Sequence, residues 1–198
     1  MGTSNSFCQR LIVGVTGATG TIFGVRLLQA LQGTEIETHL VMSKWAARTL
    51  IHETSYTLEQ VQQMATHSHQ PGDQGAAISS GSFLTRGMVV APCSTRTLAA
   101  IAQGHGDNLI HRAADVILKE RRKLVLAVRE TPLSDIHLEN MLKLSRMGVI
   151  ILPPVPAFYH RPQTIDDLVN HTVMRILDQF EIHLDLSRRW EGVMSTGR

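Results

Sequence analysis

The sequence has little cysteine, almost no excess charge and no long hydrophobic run. Two cysteines, Cys8 and Cys93, are too few for a disulfide framework, so a reducing compartment is expected. Cys93 follows an apolar run and is expected to be a core residue rather than a nucleophile. The net charge of +2 gives no electrostatic reason to expect a nucleic-acid partner. The longest apolar stretch, residues 147–158, is short and broken by prolines, so no membrane span is predicted.

Repeats and low-complexity tracts are also absent, and 198 residues with 43% hydrophobic content suffice for one well-filled core. Residues 10–192 are assigned to a single α/β domain, residues 1–9 to a polar flexible leader and residues 193–198 to a tail. No targeting segment is visible, so the cytoplasm is the expected location. A mitochondrial location is the alternative if the source is a fungus and a leader was removed.

The segment 10–31 has the pattern of a buried strand, a glycine-rich turn and a helix. Its apolar run ends at Val15, and the turn that follows carries Gly17 and Gly20 together with threonines. Glycines allow the backbone to approach an anion, and the free N–H groups at the start of a helix point towards it. The segment therefore predicts a phosphate site, with a tight turn that binds no ligand as the alternative.

Apolar runs of strand length alternate with helical spacing along the rest of the chain, which predicts a parallel sheet with helices on both faces. After the first unit, the predicted strands are residues 36–42, 88–91, 123–128 and 149–152. The predicted helices are residues 44–53, 58–64, 109–121 and 133–147. A last predicted helix follows them and is capped by Thr164. The buried stripe expected on that last helix is Ile165, Leu168, Val169, Val173, Ile176, Leu177 and Phe180.

Polar residues follow three of the predicted strands, at residues 14–20, 94–97 and 129–130. Because the carboxyl ends of parallel strands meet at one edge of a sheet, these groups are expected to converge there on a ligand. The strand 36–42 ends at Ser43, where NAD-binding proteins usually carry an acid, and this argues against NAD. The hydroxyls at residues 94–97 either cap a helix or bind phosphate.

Two nucleotide-binding enzyme classes are disfavoured by the residues that the chain lacks. Short-chain dehydrogenases need a lysine four residues after a tyrosine, but Gln60 follows Tyr56 and Gln163 follows Tyr159 at that spacing. A Walker loop needs Gly-Lys followed by Ser or Thr, and no such sequence follows the glycines.

Metal chemistry is not indicated either. The ten histidines show no zinc-type pairing with cysteine, and His67 and His69 are expected to be solvated in a polar loop, residues 67–74. The Asp-Asp pair at residues 166–167 resembles the start of an aspartate-rich prenyl diphosphate motif. Asn170 stands in place of the third acid, so helix capping is the better account of the pair.

Several motifs occur along the chain in a family-specific order: GVTGATG, LVMSKWA, ISSGSF, APCSTRTLAAIA and RILDQF, with a long run from Arg112 to Pro162. Together they resemble the flavin prenyltransferases, the UbiX-type family formerly called aromatic acid or phenylacrylic acid decarboxylases. The resemblance covers about residues 10–192. The motif SKWA, which contains Trp45, resembles the one found in the branch of the family that is paired with phenolic or cinnamic acid decarboxylases.

The resemblance implies a Rossmann-like flavoprotein fold and a homododecamer built from trimers. It also implies transfer of a dimethylallyl group from dimethylallyl monophosphate to N5 and C6 of reduced FMN, without a metal. The product, prenylated FMN, would serve a separate UbiD-type decarboxylase. The apolar segment 147–158 and the pair Arg189-Trp190 agree with subunit contacts, since a lone domain would leave them partly exposed.

The resemblance assigns residues to two sites. Glu53 matches a family acid near the flavin, and Thr19 stands where enzymes serving ubiquinone synthesis commonly carry serine. The residues expected to bind FMN are Gly17, Ala18, Thr19, Ser43, Ser94, Thr95, Arg96, Thr97 and Arg129. Those expected to bind or activate the prenyl phosphate are Lys119, Arg129, Glu130, Tyr159 and Arg175, with Arg112 nearby.

General chemistry agrees with these assignments. A departing phosphate needs cations and hydrogen-bond donors, which Lys119, Arg129 and Arg175 supply. Glu130 is a candidate to move a proton to the phosphate or from the flavin. Trp190 is a candidate aromatic wall for the allyl group, because developing cations lie favourably over ring faces.

Two alternatives remain at this stage. Phosphopantothenoylcysteine decarboxylases carry a PASANT segment, whereas residues 92–97 read PCSTRT, which lowers that possibility strongly. The second alternative is an FMN carrier, or a partner subunit of an aromatic acid decarboxylase, without its own catalysis. Four residues argue against it, because binding FMN alone needs none of them: Lys119, Glu130, Tyr159 and Arg175.

Overall fold

The computed structural model describes residues 9–192, so Cys8 and the tail at residues 193–198 lie outside it, as does nearly all of the predicted leader. Within that range the strands are β1 (Arg10–Val15), β2 (Glu37–Met42), β3 (His67–His69), β4 (Gly87–Cys93), β5 (Lys123–Val128) and β6 (Ile150–Ile151). They form one all-parallel sheet in the order β3-β2-β1-β4-β5-β6. The chain therefore builds outwards from β1 in one direction and from β4 in the other.

Helices cover both faces of the sheet. They are α1 (Ile22–Leu31), α2 (Lys44–Glu53), α3 (Leu58–Met64), α4 (Thr95–Gln103), α5 (Leu109–Lys119), α6 (Asp135–Arg146) and α7 (Ile165–Asp178). One apolar core joins α1, α2, α3 and α7 to the first face, and a second joins α4, α5 and α6 to the opposite face. None of the helices within residues 9–192 is both long enough and apolar enough to cross a membrane.

Side-chain caps fix where six of these helices begin. Ser43, Ser94 and Asn108 each accept a hydrogen bond from a backbone N–H in the first turn of α2, α4 and α5. Thr57, Ser134 and Thr164 form capping boxes at the start of α3, α6 and α7. The helix predicted at residues 133–147 therefore begins at Asp135, two residues later than expected.

The predicted alternation of strands and helices is confirmed with one correction. Residues 67–69, predicted to lie in a solvated loop, form β3 and pair in parallel with β2. Three residues without an apolar alternation carry no strand signal, because periodicity needs a longer segment. Pairing with the exposed edge of β2 decides their conformation instead.

Burial confirms most of the expected core and corrects one position. Cys93 is fully buried, and this burial raises the pKa of its thiol, so its prediction as an inert core residue is confirmed. Ile165, predicted to be buried, is 79% exposed because it lies in the first turn of α7, before the helix reaches the core. The strand predicted at residues 88–91 continues to Cys93, and α5 ends at Lys119 instead of Arg121.

Candidate functional site

The candidate site is a cavity at the carboxyl edge of the sheet, where the strand order reverses between β1 and β4. Open parallel sheets bind ligands at this place. The cavity has a volume of about 540 Å³, which is in the range of small-molecule and cofactor sites. It is lined by Thr16, Gly17, Ser43, Lys44, Trp45, Pro71, Gly72, Ser94, Arg96, Thr97, Asp107, Asn108 and His111.

Backbone pairing that continues past the strand ends holds the loops of this cavity together. The Thr16 hydroxyl donates to the carbonyl of Pro92 at 2.8 Å and accepts from the N–H of Ser94 at 2.8 Å. The N–H of Ser43 donates to the carbonyl of Val15 at 3.0 Å. The loops after β1, β2 and β4 are thereby fixed side by side, and Thr16 is a positioning residue that sequence analysis did not identify.

Three helices begin at this cavity. Their capping residues Ser43, Ser94 and Asn108 all line it, so the N-termini of α2, α4 and α5 face one space. Helix N-termini carry partial positive charge and free N–H groups. Lys44 and Arg96 add two positive charges to the lining, against one negative charge from Asp107. The cavity is therefore suited to an anion. The sequence predicts this because a hydroxyl residue follows a strand and starts a helix at Ser43 and at Ser94.

The glycine turn after β1 forms one wall of the cavity against Trp45. A Cβ atom at Gly17 would lie 2.5 Å from the Cβ of Trp45, so no larger residue fits without displacing that wall. Trp45 is 62% exposed, and the guanidinium of Arg48 lies 4.9 Å from its ring centroid. This cation–π contact helps to hold the tryptophan ring in place.

Glu53, at the end of α2, holds the same turn from outside the cavity. Its carboxylate accepts from the N–H groups of Gly20 at 2.9 Å and Thr21 at 3.1 Å, and from the Thr21 hydroxyl at 3.1 Å. Partial burial would raise the pKa of Glu53, but the hydrogen bonds from Thr19, Gly20 and Thr21 outweigh it and hold the pKa below its usual range. The carboxylate therefore stays ionised and fixes the turn.

His111 is a lining residue that sequence analysis did not single out. It lies in the first turn of α5, is buried, and its N–H donates to the side chain of Asn108 at 3.1 Å. Burial lowers the pKa of His111; Asp107 opposes this shift, while the positive charge of Arg96 adds to it. The sequence gives no sign that His111 borders a cavity, since one histidine in an apolar helix is usually a packing residue.

The structure brings together five of the residues predicted to bind FMN. Gly17, Ser43, Ser94, Arg96 and Thr97 all line the cavity. Among the other predicted residues, Thr19 supports Glu53, and Ala18, Thr95 and Arg129 lie next to lining residues or strand ends without being part of the lining.

The residues predicted to bind the prenyl phosphate lie in separate places. Two of them are on α5: Arg112 pairs with Asp115 at 2.9 Å and donates to the carbonyl of Ser79 at 3.2 Å, and Lys119 pairs with Glu120. Lys119 ends α5 just before β5, so it lies at the amino edge of the sheet.

A second group lies on the opposite face, around α7. The Tyr159 hydroxyl is 2.8 Å from Nε2 of His171, and its ring meets the Trp190 ring edge-on at 5.7 Å. Arg175 pairs with Asp178 at 3.2 Å. Asp178 also binds Arg189 through two contacts of 2.9 Å, and chiefly this pairing holds the pKa of Asp178 below its usual value.

Arg129 and Glu130 form a third group, beside the cavity. The N–H of Arg129 donates to the carbonyl of Cys93 at 3.0 Å, and the Glu130 side chain accepts from the N–H of Thr131 at 3.0 Å. Both side chains are exposed. The length of β5 separates them from Lys119, about 20 Å for six residues. Within one chain, Lys119 and Arg129 therefore do not meet on one phosphate.

Comparisons with known proteins agree with this geometry. The family model described as Flavoprotein matches residues 3–177. A probable UbiX-like flavin prenyltransferase of Bacillus subtilis (strain 168) is 61% identical over 184 residues, covering 93% of this chain and 90% of the relative.

Two solved structures are also similar. One is a dodecameric FMN-dependent UbiX-like decarboxylase from Escherichia coli O157:H7, with a TM-score of 0.91 and 60% identity over 92% of this chain and 100% of that chain. The other is AnUbiX (PadA1) in complex with FMN and dimethylallyl pyrophosphate, with a TM-score of 0.93 and 51% identity over 94% of this chain and 100% of that chain.

Proposed function

The chain belongs to the flavoprotein family, among its UbiX-like flavin prenyltransferases, and from this membership we propose that it transfers a dimethylallyl group to reduced FMN. The proposed donor is dimethylallyl monophosphate, and the new bonds form at N5 and C6 of the flavin. The observation that carries the proposal is a cavity at which three helix N-termini converge, in a chain that also retains the charged residues of a phosphate leaving-group site.

The cavity fits FMN on its own physical grounds. Three capped helix N-termini with Lys44 and Arg96 suit the phosphate, and the space beside Gly17 is one that a Cβ would fill. Ser43 follows β2 directly, where an acid that would select a ribose diol is lacking. Gly17, Ser43, Ser94, Arg96 and Thr97 would hold the cofactor, with Thr19 and Glu53 supporting the turn. Reduced FMN would supply the nucleophilic flavin atoms.

The prenyl phosphate site is proposed to form between subunits. Arg112 and Lys119 lie on one face of the sheet and Tyr159 and Arg175 on the other, so contact with a second copy is needed to bring them to one phosphate. The chain also exposes large apolar side chains that a subunit contact would cover: Ile136, Leu138, Leu142, Met147, Val155, Phe158 and Trp190. We propose a homo-oligomer, a dodecamer as in the E. coli O157:H7 structure.

Each residue at this shared site has its own proposed role. Lys119, Arg129 and Arg175 would stabilise the charge that builds on the departing phosphate, and the Tyr159 hydroxyl would orient it. Glu130 would carry a proton between the flavin and the phosphate. Trp190, whose ring already meets Tyr159, would form an aromatic wall for the dimethylallyl group. No step in this scheme requires a metal.

The product is proposed to serve a UbiD-type decarboxylase of aromatic or phenolic acids. The B. subtilis relative and the dodecameric structure come from bacteria, which gives the mitochondrial alternative no support, and we keep the cytoplasm as the proposed location. A carrier without catalysis would need the FMN cavity alone, and it would leave the separate cluster of Tyr159, His171 and Trp190 without a role.

A direct reconstitution tests the function. Protein, reduced FMN and dimethylallyl monophosphate are incubated without oxygen, and the flavin is then analysed by mass spectrometry. We expect the mass gain of one prenyl group in a metal-free buffer with chelator. Parallel reactions with dimethylallyl pyrophosphate test which donor is used. Tight FMN binding with an unchanged flavin mass under both conditions would support the carrier instead.

A further inference from the structure

Three histidines and a glutamate gather at the β2–β3 edge of the sheet, away from the flavin cavity. β2 and β3 run parallel with His39 opposite His67 and Val41 opposite His69. Alternate residues of a strand point to the same face, so Glu37 lies on the same side of β2 as His39. The sequence therefore supplies a Glu-x-His pair and a His-x-His pair that the sheet sets side by side.

The ligand atoms of this cluster already converge. Oε1 of Glu37 lies 3.1 Å from Nε2 of His39 and 3.1 Å from Nε2 of His67. These three atoms all lie within 4.8 Å of one another. Tetrahedral zinc with bonds of about 2.0–2.2 Å places its ligand atoms about 3.3 Å apart, so little movement is needed to surround an ion.

We propose that Glu37, His39 and His67 bind one Zn²⁺ ion, as a site separate from the prenyl-transfer chemistry. Two imidazoles and one carboxylate are a ligand set that zinc accepts, with a water molecule in the fourth position. The His67 side chain is 51% exposed, which leaves that position open to solvent.

The surroundings of the cluster supply the supporting contacts of a metal site. Nδ1 of His39 lies 3.0 Å from Nε2 of His69, so His39 can carry its proton on Nδ1 and leave Nε2 for the ion. The other carboxylate oxygen of Glu37 accepts from Nε of Arg10 at 3.0 Å, which fixes the carboxylate and keeps Oε1 directed at the histidines. The Arg10 charge weakens cation binding to some degree, although it lies on the opposite oxygen and 4.6 Å from the Phe83 ring centroid.

The ion would stabilise one of the two short edge strands of the sheet. β3 has only three residues and lies at an edge, so its pairing with β2 is short. Two residues after it, Pro71 and Gly72 line the flavin cavity. Zinc bound across β2 and β3 would therefore hold the segment that leads into the cavity without taking part in the reaction.

Isothermal titration calorimetry with ZnCl₂ on untagged, chelator-treated full-length protein tests the site. We expect one saturable zinc per chain with micromolar or tighter affinity. His67→Gln should weaken it by about 100-fold or more, and His69→Gln, which removes only the supporting contact, by about 10–100-fold. His52→Gln, which alters an exposed histidine of α2 away from the cluster, should leave it unchanged.

The absorption spectrum of bound Co²⁺ gives a second test, in which a variant gains a signal instead of losing binding. His67→Cys replaces one zinc ligand by another, so Co²⁺ bound to this variant should show a thiolate charge-transfer band that the parent protein lacks. FMN binding by each variant checks that the domain is folded. Any of three results would overturn the proposal. They are equal zinc affinity in the parent and a folded His67→Gln, no saturable zinc binding by the parent, and no thiolate band in His67→Cys.

Discussion

At the carboxyl edge of the sheet, the loops of a single chain close around the cavity proposed for FMN, whereas Lys119, Glu130 and Arg175 lie apart and exposed. The cavity is built from strand ends that are neighbours in one parallel sheet, so the sheet register alone aligns its loops. The residues proposed to bind the prenyl phosphate lie on opposite faces and opposite edges of that sheet. In the proposed scheme, one chain is therefore enough to bind the cofactor, whereas prenyl transfer needs the assembly.

The largest effect on the rate of prenylation is expected from variants of two residues that the scheme assigns to different subunits. Lys119→Met and Arg175→Met should each lower the rate of prenylation by about 10²–10³-fold, the scale for losing one charge-stabilising group. Mixed oligomers of the two variants should regain about a quarter of the parental activity, because random mixing leaves that share of two-chain sites intact.

The matched control mixes Lys119→Met with the double variant Lys119→Met/Arg175→Met, in which no subunit carries the lysine. That mixture should remain inactive. Activity would be followed in single turnovers after coexpression and purification of the mixed oligomers. If the first mixture also fails to regain activity, the two residues act from the same chain and the division proposed here is wrong.

A second prediction separates proton transfer from phosphate binding at the shared site. Glu130→Gln should keep FMN and still bind dimethylallyl monophosphate, yet slow prenylation by about 10²-fold or more, as expected for loss of a positioned acid or base. Tyr159→Phe should instead raise KM, because its hydroxyl contacts the substrate phosphate in our scheme.

Single-turnover rates followed by the flavin spectrum distinguish these two variants. A Glu130→Gln protein that reacts at the parental rate would show that Glu130 is merely an ion-pair partner of a neighbouring arginine. The FMN affinity of both variants, measured by fluorescence titration, provides the control for an intact cavity.

A third prediction tests whether the glycine turn after β1 contacts the flavin. Gly17→Ala should weaken FMN binding by about 10-fold or more, since overpacking against Trp45 costs roughly 1–3 kcal/mol. Gly72→Ala is the matched control, because Gly72 lines the same cavity and a Cβ there meets nothing within 4 Å. Equal FMN affinities for the two variants, measured by titration, would mean that the turn after β1 does not contact the flavin.

The smallest effect is expected at Glu53, which holds that turn. Glu53→Gln should reduce the free energy of unfolding by about 1 kcal/mol at pH 7, the low end for charged hydrogen bonds, because the group is exposed to solvent. The pKa of Glu53 is lowered in the folded protein, so its contribution is complete above the unfolded pKa, about 4.3, and is lost as the pH falls through the folded pKa.

Urea unfolding of the parent and Glu53→Gln at pH 7, and again at decreasing pH below 4.5, measures this difference. The gap between the two proteins should narrow as the pH falls. A gap that stays constant down to pH 3 would show that the charge of Glu53 does not stabilise the turn.

The sequence predicted five of the six strands in residues 9–192, most of the helices and the edge of the sheet where the cavity lies. Long apolar runs and capping residues such as Ser43 and Ser94 carry this information locally, and the structure confirms them. The motifs between residues 10 and 192 led to the family, which the comparisons confirm. The lining residues Thr16 and His111 were missed, because a buried threonine or histidine looks the same in a sequence whether it packs or borders a cavity.

What the sequence determined by itself is therefore local: where elements begin, which faces are apolar and which turn suits an anion. Only the tertiary structure decided that His67 and His69 extend the sheet and meet Glu37 and His39, 28 to 30 positions earlier, because pairing between distant strands leaves no periodic signal in three residues. This outcome follows from strand register, which is fixed by contacts across the whole sheet rather than by any one segment.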